Sequence, residues 1–219
     1  MPIPLYSQLA TFLAMSALLI FGNRTAQEVA ETAAIVPGNA FTRIEQRFFS
    51  VESFENEICR EAESWNCEIR YHIGITDMKW KLLIHEHCTA KDWKPATIIH
   101  PSAFISPTAS VGDGVFIAAH VAVSSDARID DFCLVHFNAS IGHDARIGSF
   151  SSILPGSRIS GNASVGKRSM IGSNAFVASG VKIGDDCRVD AMTYVRHPLP
   201  DGFIASVRTP NAVKRVDLL

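Results

Sequence analysis

The sequence has no marked excess of charge of either sign: its 219 residues carry a formal net charge of −2. Without a polybasic footprint it lacks the electrostatic grip that nucleic-acid binding needs, so nucleic acid is not an expected partner. No Cys-x-x-Cys spacing occurs among Cys59, Cys67, Cys88, Cys133 and Cys187, and their number is odd. That pattern argues against a disulfide framework and suits a reducing compartment such as the cytoplasm. Nor is a leader or membrane span expected in the first residues. The stretch from Leu5 to Phe21 is mostly apolar, but Ser7, Gln8, Thr11 and Ser16 interrupt it and no basic segment precedes it. Residues 1–14 are therefore expected to be an extension, with ordered chain beginning at Met15 and no membrane as partner.

Against these absences stands a repeat. From Ile99 to Val195 an aliphatic residue recurs at every sixth position without a miss, through Ile105, Val111, Ile117, Val123, Ile129, Val135, Ile141, Ile147, Ile153, Ile159, Val165, Ile171, Val177, Ile183 and Val189. Two positions before each sits a smaller residue, as at Ala103, Ala109, Ala127, Cys133, Ala139, Ala145, Ser151, Ala163, Ala175 and Cys187. A period of six is neither that of a helix nor that of a strand, so each hexad is a structural unit of its own. Because strand side chains alternate, the aliphatic residue and the small one two before it point inward together, and the small one fits a tight corner. Three such walls close a triangular coil of eighteen residues. Coils stacked about 4.8 Å apart satisfy each other's backbone groups and line up identical β-branched side chains. Glycines that follow the aliphatic residue, such as Gly112, Gly142 and Gly166, are expected where backbone freedom helps.

The preceding segment reads as a small α/β unit. Ala17 to Phe21 is a buried strand of the parallel type. After a turn at Gly22-Asn23-Arg24, Thr25-Ala26-Gln27-Glu28 has the form of a capping box opening a helix. Phe41 to Phe49 reads as a strand and Ser50 to Trp65 as a helix, with Val51, Phe54, Ile58, Ala62 and Trp65 on one stripe. Ile69 to Ile75 is a further strand, Met78 to Cys88 a helix, and Thr97 to Ile99 the last strand. This alternation implies a parallel sheet with helices on its faces, whose ligands sit beyond the carboxyl ends of the strands. The loops to watch are therefore Gly22 to Thr25 and Gly74 to Asp77. The organisation expected is an extension (1–14), a Rossmann-like domain (15–97), a hexapeptide prism (98–197) and a tail (198–219).

The repeat resembles that of the hexapeptide acyltransferases, whose fold is a left-handed parallel β-helix. The two-part plan, together with Ile141-Gly142-His143-Asp144, resembles the branch of sialic acid O-acetyltransferases and nucleotide-sugar N-acetyltransferases of bacterial glycan synthesis. The resemblance implies that the small domain holds a nucleotide-sugar through Gly22, Asn23, Arg24 and Gly74, that the prism holds acetyl-CoA, and that the chain forms a homotrimer with active sites between neighbouring prisms. Acyl transfer from a thioester needs a base to take the nucleophile's proton, which suits an imidazole, and an adjacent carboxylate fixes the ring's tautomer. The family's catalytic pair falls on His143 and Asp144. Gly161, one coil later, is open to two readings: an oxyanion donor through its N–H, or a corner glycine. His136 and Asn138 are candidates for contact with sugar or pantetheine, or corner residues. Ser152 stands where some relatives carry a second histidine against the cofactor, and Ser173 and Ala191 where relatives line the acetyl-CoA cleft. Lys167, Arg168, Lys182, Arg188 and Arg196 are candidates to meet its phosphates. No metal is expected, since His85 and His87 at a two-residue spacing do not share a helix face.

The function expected from this is acetyl-CoA-dependent acetylation of an amino group, or a hydroxyl, of a sugar or nucleotide-linked sugar. The alternatives are a non-catalytic trimeric scaffold or sugar-binding module, suggested by the depleted glycine turn at Gly22 and by Ser152, and the use of another acyl donor.

Overall fold

The computed structural model describes residues 16–37, 41–209 and 211–215. The expected extension at 1–14 lies outside them. Seventeen two-residue strands, from Ile98–Ile99 to Tyr194–Val195, realise the hexads one for one. They pair in parallel with partners eighteen residues away, as Arg128↔Arg146 and Ile141↔Ile159 show, and so build a left-handed parallel β-helix with three walls. The first wall contains Phe116–Ile117, Leu134–Val135 and Ser152–Ile153, the second Ala122–Val123, Ser140–Ile141 and Arg158–Ile159, and the third Arg128–Ile129 and Arg146–Ile147. The interior is the aliphatic series itself, with Val123, Ile141, Ile159 and Val177 buried one above another beside Ala139, Ala163 and Ala175. Each such side chain removed from water contributes about 1.5–3 kcal/mol. A hairpin of Phe203–Ala205 and Val213–Lys214 extends the first wall past Arg188–Val189 and covers that end of the prism.

From Gly114 to Met192 each corner places one residue in the left-handed backbone region, including Asp126, Asn138, Asp144, Asn162 and Asn174, all at φ between 54° and 60°. Asparagine and aspartate tolerate that region better than other residues with a β-carbon. The glycines after the aliphatic residue have a different reason from the one expected: they do not adopt positive φ, but a β-carbon on Gly142 would lie 2.5 Å from Gly161 N in the next coil. Their role is close approach between coils.

The small domain is a four-stranded parallel sheet in the order β2 (Phe41–Arg47), β1 (Ser16–Gly22), β3 (Glu68–Gly74), β4 (Lys94–Pro95). The last strand is thus Lys94–Pro95 rather than Thr97 to Ile99, because Ile98–Ile99 pairs with Phe116–Ile117 and opens the prism. Helix α1 (Arg24–Ile35) forms, but not through the expected capping box: its N-cap is Asn23, which makes no side-chain cap. Helices α2 (Val51–Ser53) and α3 (Cys59–Ser64) are joined by a π-helical turn, Phe54–Ile58, that keeps Phe54 and Ile58 buried. Helix α4 (Met78–Ala90) is capped by Asp77, whose carboxylate accepts from Trp80 N at 3.2 Å.

β1 is buried on both faces. Ala17, Leu19 and Phe21 pack with Phe54, Tyr71 and Ile84, while Leu18 and Ile20 pack with α1 and with Phe116 and Leu134 of the prism. The small domain therefore lies over the first wall.

Candidate active site

His143 and Asp144 form the edge between the second and third walls. Strand Ser140–Ile141 sends Ile141 inward, Gly142 passes against the next coil, and His143 emerges at the corner with most of its side chain exposed. Asp144, in the left-handed region, folds back so that its Oδ2 lies 2.8 Å from His143 Nδ1. A carboxylate only accepts, so Nδ1 carries the proton and Nε2 presents its lone pair outward.

Gly161 lies directly over the ring: a β-carbon there would come within 2.4 Å of Nε2. Among the described residues no acceptor engages the Gly161 N–H, whereas its carbonyl accepts from Ser179 Oγ at 2.7 Å and Gly180 N at 3.1 Å. The same hexad position on another edge is closed: the N–H groups of Asp113 and Lys167 donate to Asp131 Oδ1 and Asp185 Oδ1, at 2.9 and 2.8 Å. At the His143 edge no carboxylate stands in that role, which leaves a donor beside an imidazole. A groove of about 450 Å³ on the second wall includes Gly142, Gly161, Ser140 and Arg158, bounded by the exposed rings of Phe104 and Phe176.

Gly22, Asn23, Arg24 and Gly74 come together in a second cavity, of about 440 Å³, at the carboxyl ends of β1 and β3. Gly22 has φ 135°, and a β-carbon on it would meet Gly74 O at 2.5 Å, so the turn and the neighbouring strand end require each other. Gln46 Nε2 donates to the carbonyls of Gly22 and Asn23, at 3.0 and 2.7 Å, and holds the turn from β2. Thr76, within the expected Gly74 to Asp77 loop, also lines this cavity, as do Phe48, Phe49 and Trp80, which were not singled out from sequence. The available signal was the adjacent pair Phe48-Phe49 at the carboxyl end of a strand.

Other expectations do not converge on either place. His136 and Ser152 both sit on the first wall under the small domain. His136 is buried against Phe116 with Nδ1 3.9 Å from Glu28 Oε2, too far for a hydrogen bond. Burial pushes His136 down to about 4 and Glu28 upward, the reverse of what an ion pair would do. Ser152 is buried and accepts from Lys81 Nζ at 3.2 Å, so it faces helix α4 and not a cofactor. Asn138, Ser173 and Ala191 lie on the edge between the first and second walls, one wall away from His143. Of the cationic candidates, Arg168 is held by both oxygens of Asp186 at 2.7 Å and Arg188 lies 3.3 Å from Asp190, while Lys182 and Arg196 have no carboxylate partner among the described residues. His85 and His87 diverge, His85 Nδ1 to the Tyr71 hydroxyl at 2.8 Å and His87 Nδ1 to Leu83 O at 2.9 Å.

A family model described as "Hexapeptide repeat of succinyl-transferase" matches residues 162–196. No curated protein sequence matches the chain significantly. Solved structures match over nearly the full length. The acetyltransferase domain of PglB from Neisseria gonorrhoeae FA1090 is 24% identical, with a TM-score of 0.78 over 90% of this chain and 99% of that one. A variant of perosamine N-acetyltransferase from Caulobacter crescentus with one histidine replaced by asparagine, in complex with CoA and GDP-perosamine, is 26% identical, with a TM-score of 0.78 over 92% of this chain and 99% of that one. WeeI from Acinetobacter baumannii AYE is 15% identical, with a TM-score of 0.76 over 91% of this chain and 100% of that one. The chain carries a hexapeptide repeat and shares the two-domain fold of these structures.

Proposed function

We propose that the protein is an acyltransferase that moves the acetyl group of acetyl-CoA to an amino group of a nucleotide-linked sugar. The observation that carries the reading is the His143–Asp144 pair at 2.8 Å lying over Gly161, whose missing side chain makes room for the ring and whose N–H is free. Nε2 takes the proton of the amine as its nitrogen attacks the thioester carbon. The Gly161 N–H meets the charge that develops on the carbonyl oxygen, and Asp144 steadies the imidazolium. When the tetrahedral adduct collapses, the C–S bond breaks and the imidazolium returns its proton to the leaving sulfur. The relatives solved with CoA and GDP-perosamine, or with acetyl-CoA, support this choice of donor and acceptor.

The reading includes assembly into a trimer. In a triangular prism the edge bearing His143 is opposite the first wall, over which the small domain and its cavity lie. A sugar anchored in that cavity reaches the His143 of another copy, not its own. The groove between Phe104 and Phe176, and the edge holding Asn138, Ser173 and Ala191, are then completed by a neighbour. All five cysteines are free thiols, which fits a cytoplasmic protein. No helix among the described residues is long and apolar enough to cross a membrane.

The test is His143→Ala, assayed with acetyl-CoA against a panel of nucleotide-linked amino sugars. Turnover is expected to fall by about 10² or more while the oligomer stays folded. A variant that acetylates at the parent rate removes His143 from the reaction.

A further inference from the structure

The cavity at the ends of β1 and β3 has a lining that bears on what it holds. Among the described residues that line it, Arg24 is the one charged side chain and none is a carboxylate. Two large apolar side chains stand at it in the open: Phe48 is 73% exposed and Trp80 40%. Leaving such rings in water costs stability unless something covers them. Neither is adrift. Trp80 sits in the first turn of α4, its N–H held by Asp77, and its ring meets Phe49 edge-on at 6.1 Å. Phe49 in turn packs on Phe21 and Phe54, at 5.8 and 5.5 Å, so the rim rests on the core of the domain.

We infer that Phe48 and Trp80 hold the base of the nucleotide-sugar by stacking, with Arg24 facing its diphosphate, so that the cavity binds nucleoside diphosphates with little preference among bases. The inference rests on the nucleotide-sugar reading above. A π-face is common to every base, so stacking tolerates all of them. Strong selection of guanine generally calls for a group that accepts from both donors of its Watson–Crick edge, as a carboxylate does, and the described lining residues include no carboxylate. The rings are assigned to the base and not to the hexose because the reacting sugar must leave the cavity to reach an imidazole on another edge, while the nucleoside stays behind as the anchor.

The experiment is calorimetry on the full chain with UDP, dTDP, CDP, GDP and ADP, repeated for Trp80→Ala, Phe48→Ala and Trp80→Phe, with acetyl-CoA titrated in parallel. The diphosphates are expected to bind within about tenfold of one another. Each alanine variant should weaken all of them by roughly 5- to 150-fold, and Trp80→Phe should recover most of the loss. Acetyl-CoA affinity should not change in any variant. A spread wider than about tenfold, or an unchanged diphosphate affinity in Trp80→Ala, overturns stacking while leaving the nucleotide reading in place. If Trp80→Ala weakens only sugar-bearing nucleotides, the ring holds the hexose and the inference fails. If no diphosphate binds while acetyl-CoA does, the nucleotide reading itself fails with it.

Discussion

Asp144 answers to two demands at once. Its corner needs a residue that tolerates φ of 57°, a position taken on neighbouring corners by Asn138, Asn162 and Asn174, and the imidazole beside it needs a fixed acceptor. The two demands separate by substitution. Asparagine keeps the backbone preference but removes the charge that steadies the imidazolium, and its amide can turn to present a donor to Nδ1. Alanine loses both. Asp144→Asn is therefore expected to unfold within about 0.5 kcal/mol of the parent yet turn over at least about tenfold more slowly. Asp144→Ala should lose a further 1 kcal/mol or so to the strained corner. Thermal melts and initial rates on the two variants check this, and equal rates for Asp144→Asn and the parent would leave the residue with the turn alone. The pair was legible in the sequence through the family resemblance, which sets a catalytic histidine and acid on these two positions; the hexad pattern alone put them only on an outward corner just past an inward isoleucine. The relation of Gly161 to the ring was legible from the spacing of eighteen. Its free N–H was not, since that depends on which carboxylates cap the equivalent corners.

Helix α4 shows what an element can hide. Its buried residues are Lys81, Ile84 and Cys88, a stripe with a lysine at its head. The ammonium donates to Phe150 O at 3.0 Å, to Ser152 Oγ at 3.2 Å and to Phe132 O at 3.4 Å. Phe132 and Phe150 occupy left-handed corners of successive coils and stack at 4.9 Å, so covering this edge shuts water away from their carbonyls. Lys81 replaces that water, and burial pushes its ammonium down to about 8. Lys81→Met fills similar space but strands both carbonyls, and is expected to destabilise the chain by about 2–4 kcal/mol, seen as an earlier denaturant midpoint. A variant as stable as the parent would mean that the cost of burying the ammonium equals what its bonds return. The alternation of helices and strands was readable before the structure, and so was most of the sheet. Lys81 was not, because a lysine beside an apolar stripe ordinarily reads as solvated. The π-helical turn was also hidden, since Phe54 and Ile58 fit a plain helical stripe equally well.

At the scale of the molecule, the hexads fix the prism, while a longer period decides which wall is covered. The outward residues of the first wall begin with Ile98, Phe116 and Leu134, under the small domain, before Ser152, Met170 and Arg188, whereas those of the third are Ser110, Arg128, Arg146, Ser164 and Lys182. Read at a spacing of six these positions look mixed. Read at eighteen they separate a wall that a domain covers from one that faces water. Missing that phase is why His136 and Ser152 looked available to ligands. The interface so formed buries His72, whose Nδ1 lies 2.9 Å from Ala96 O, together with His136, and leaves the Nε2 of each without a partner among the described residues. Burial holds both rings at about 4, with Lys81 adding to the depression. In the unfolded chain a histidine titrates near 6.5. Between those values the unfolded state binds more protons than the folded one, so stability is fully present above about pH 6.5 and drains as pH falls toward 4. Glu28, whose carboxyl is raised by burial and then by Glu31, acts in the opposite direction. Each histidine is expected to cost about 2–3 kcal/mol across the window. Denaturant midpoints measured at pH 7 and pH 5 should therefore diverge, and the divergence should shrink markedly in a His72→Gln, His136→Gln double variant, whose amides do not titrate. If the double variant keeps the slope of the parent, the acid sensitivity arises elsewhere and the domain interface is not its seat.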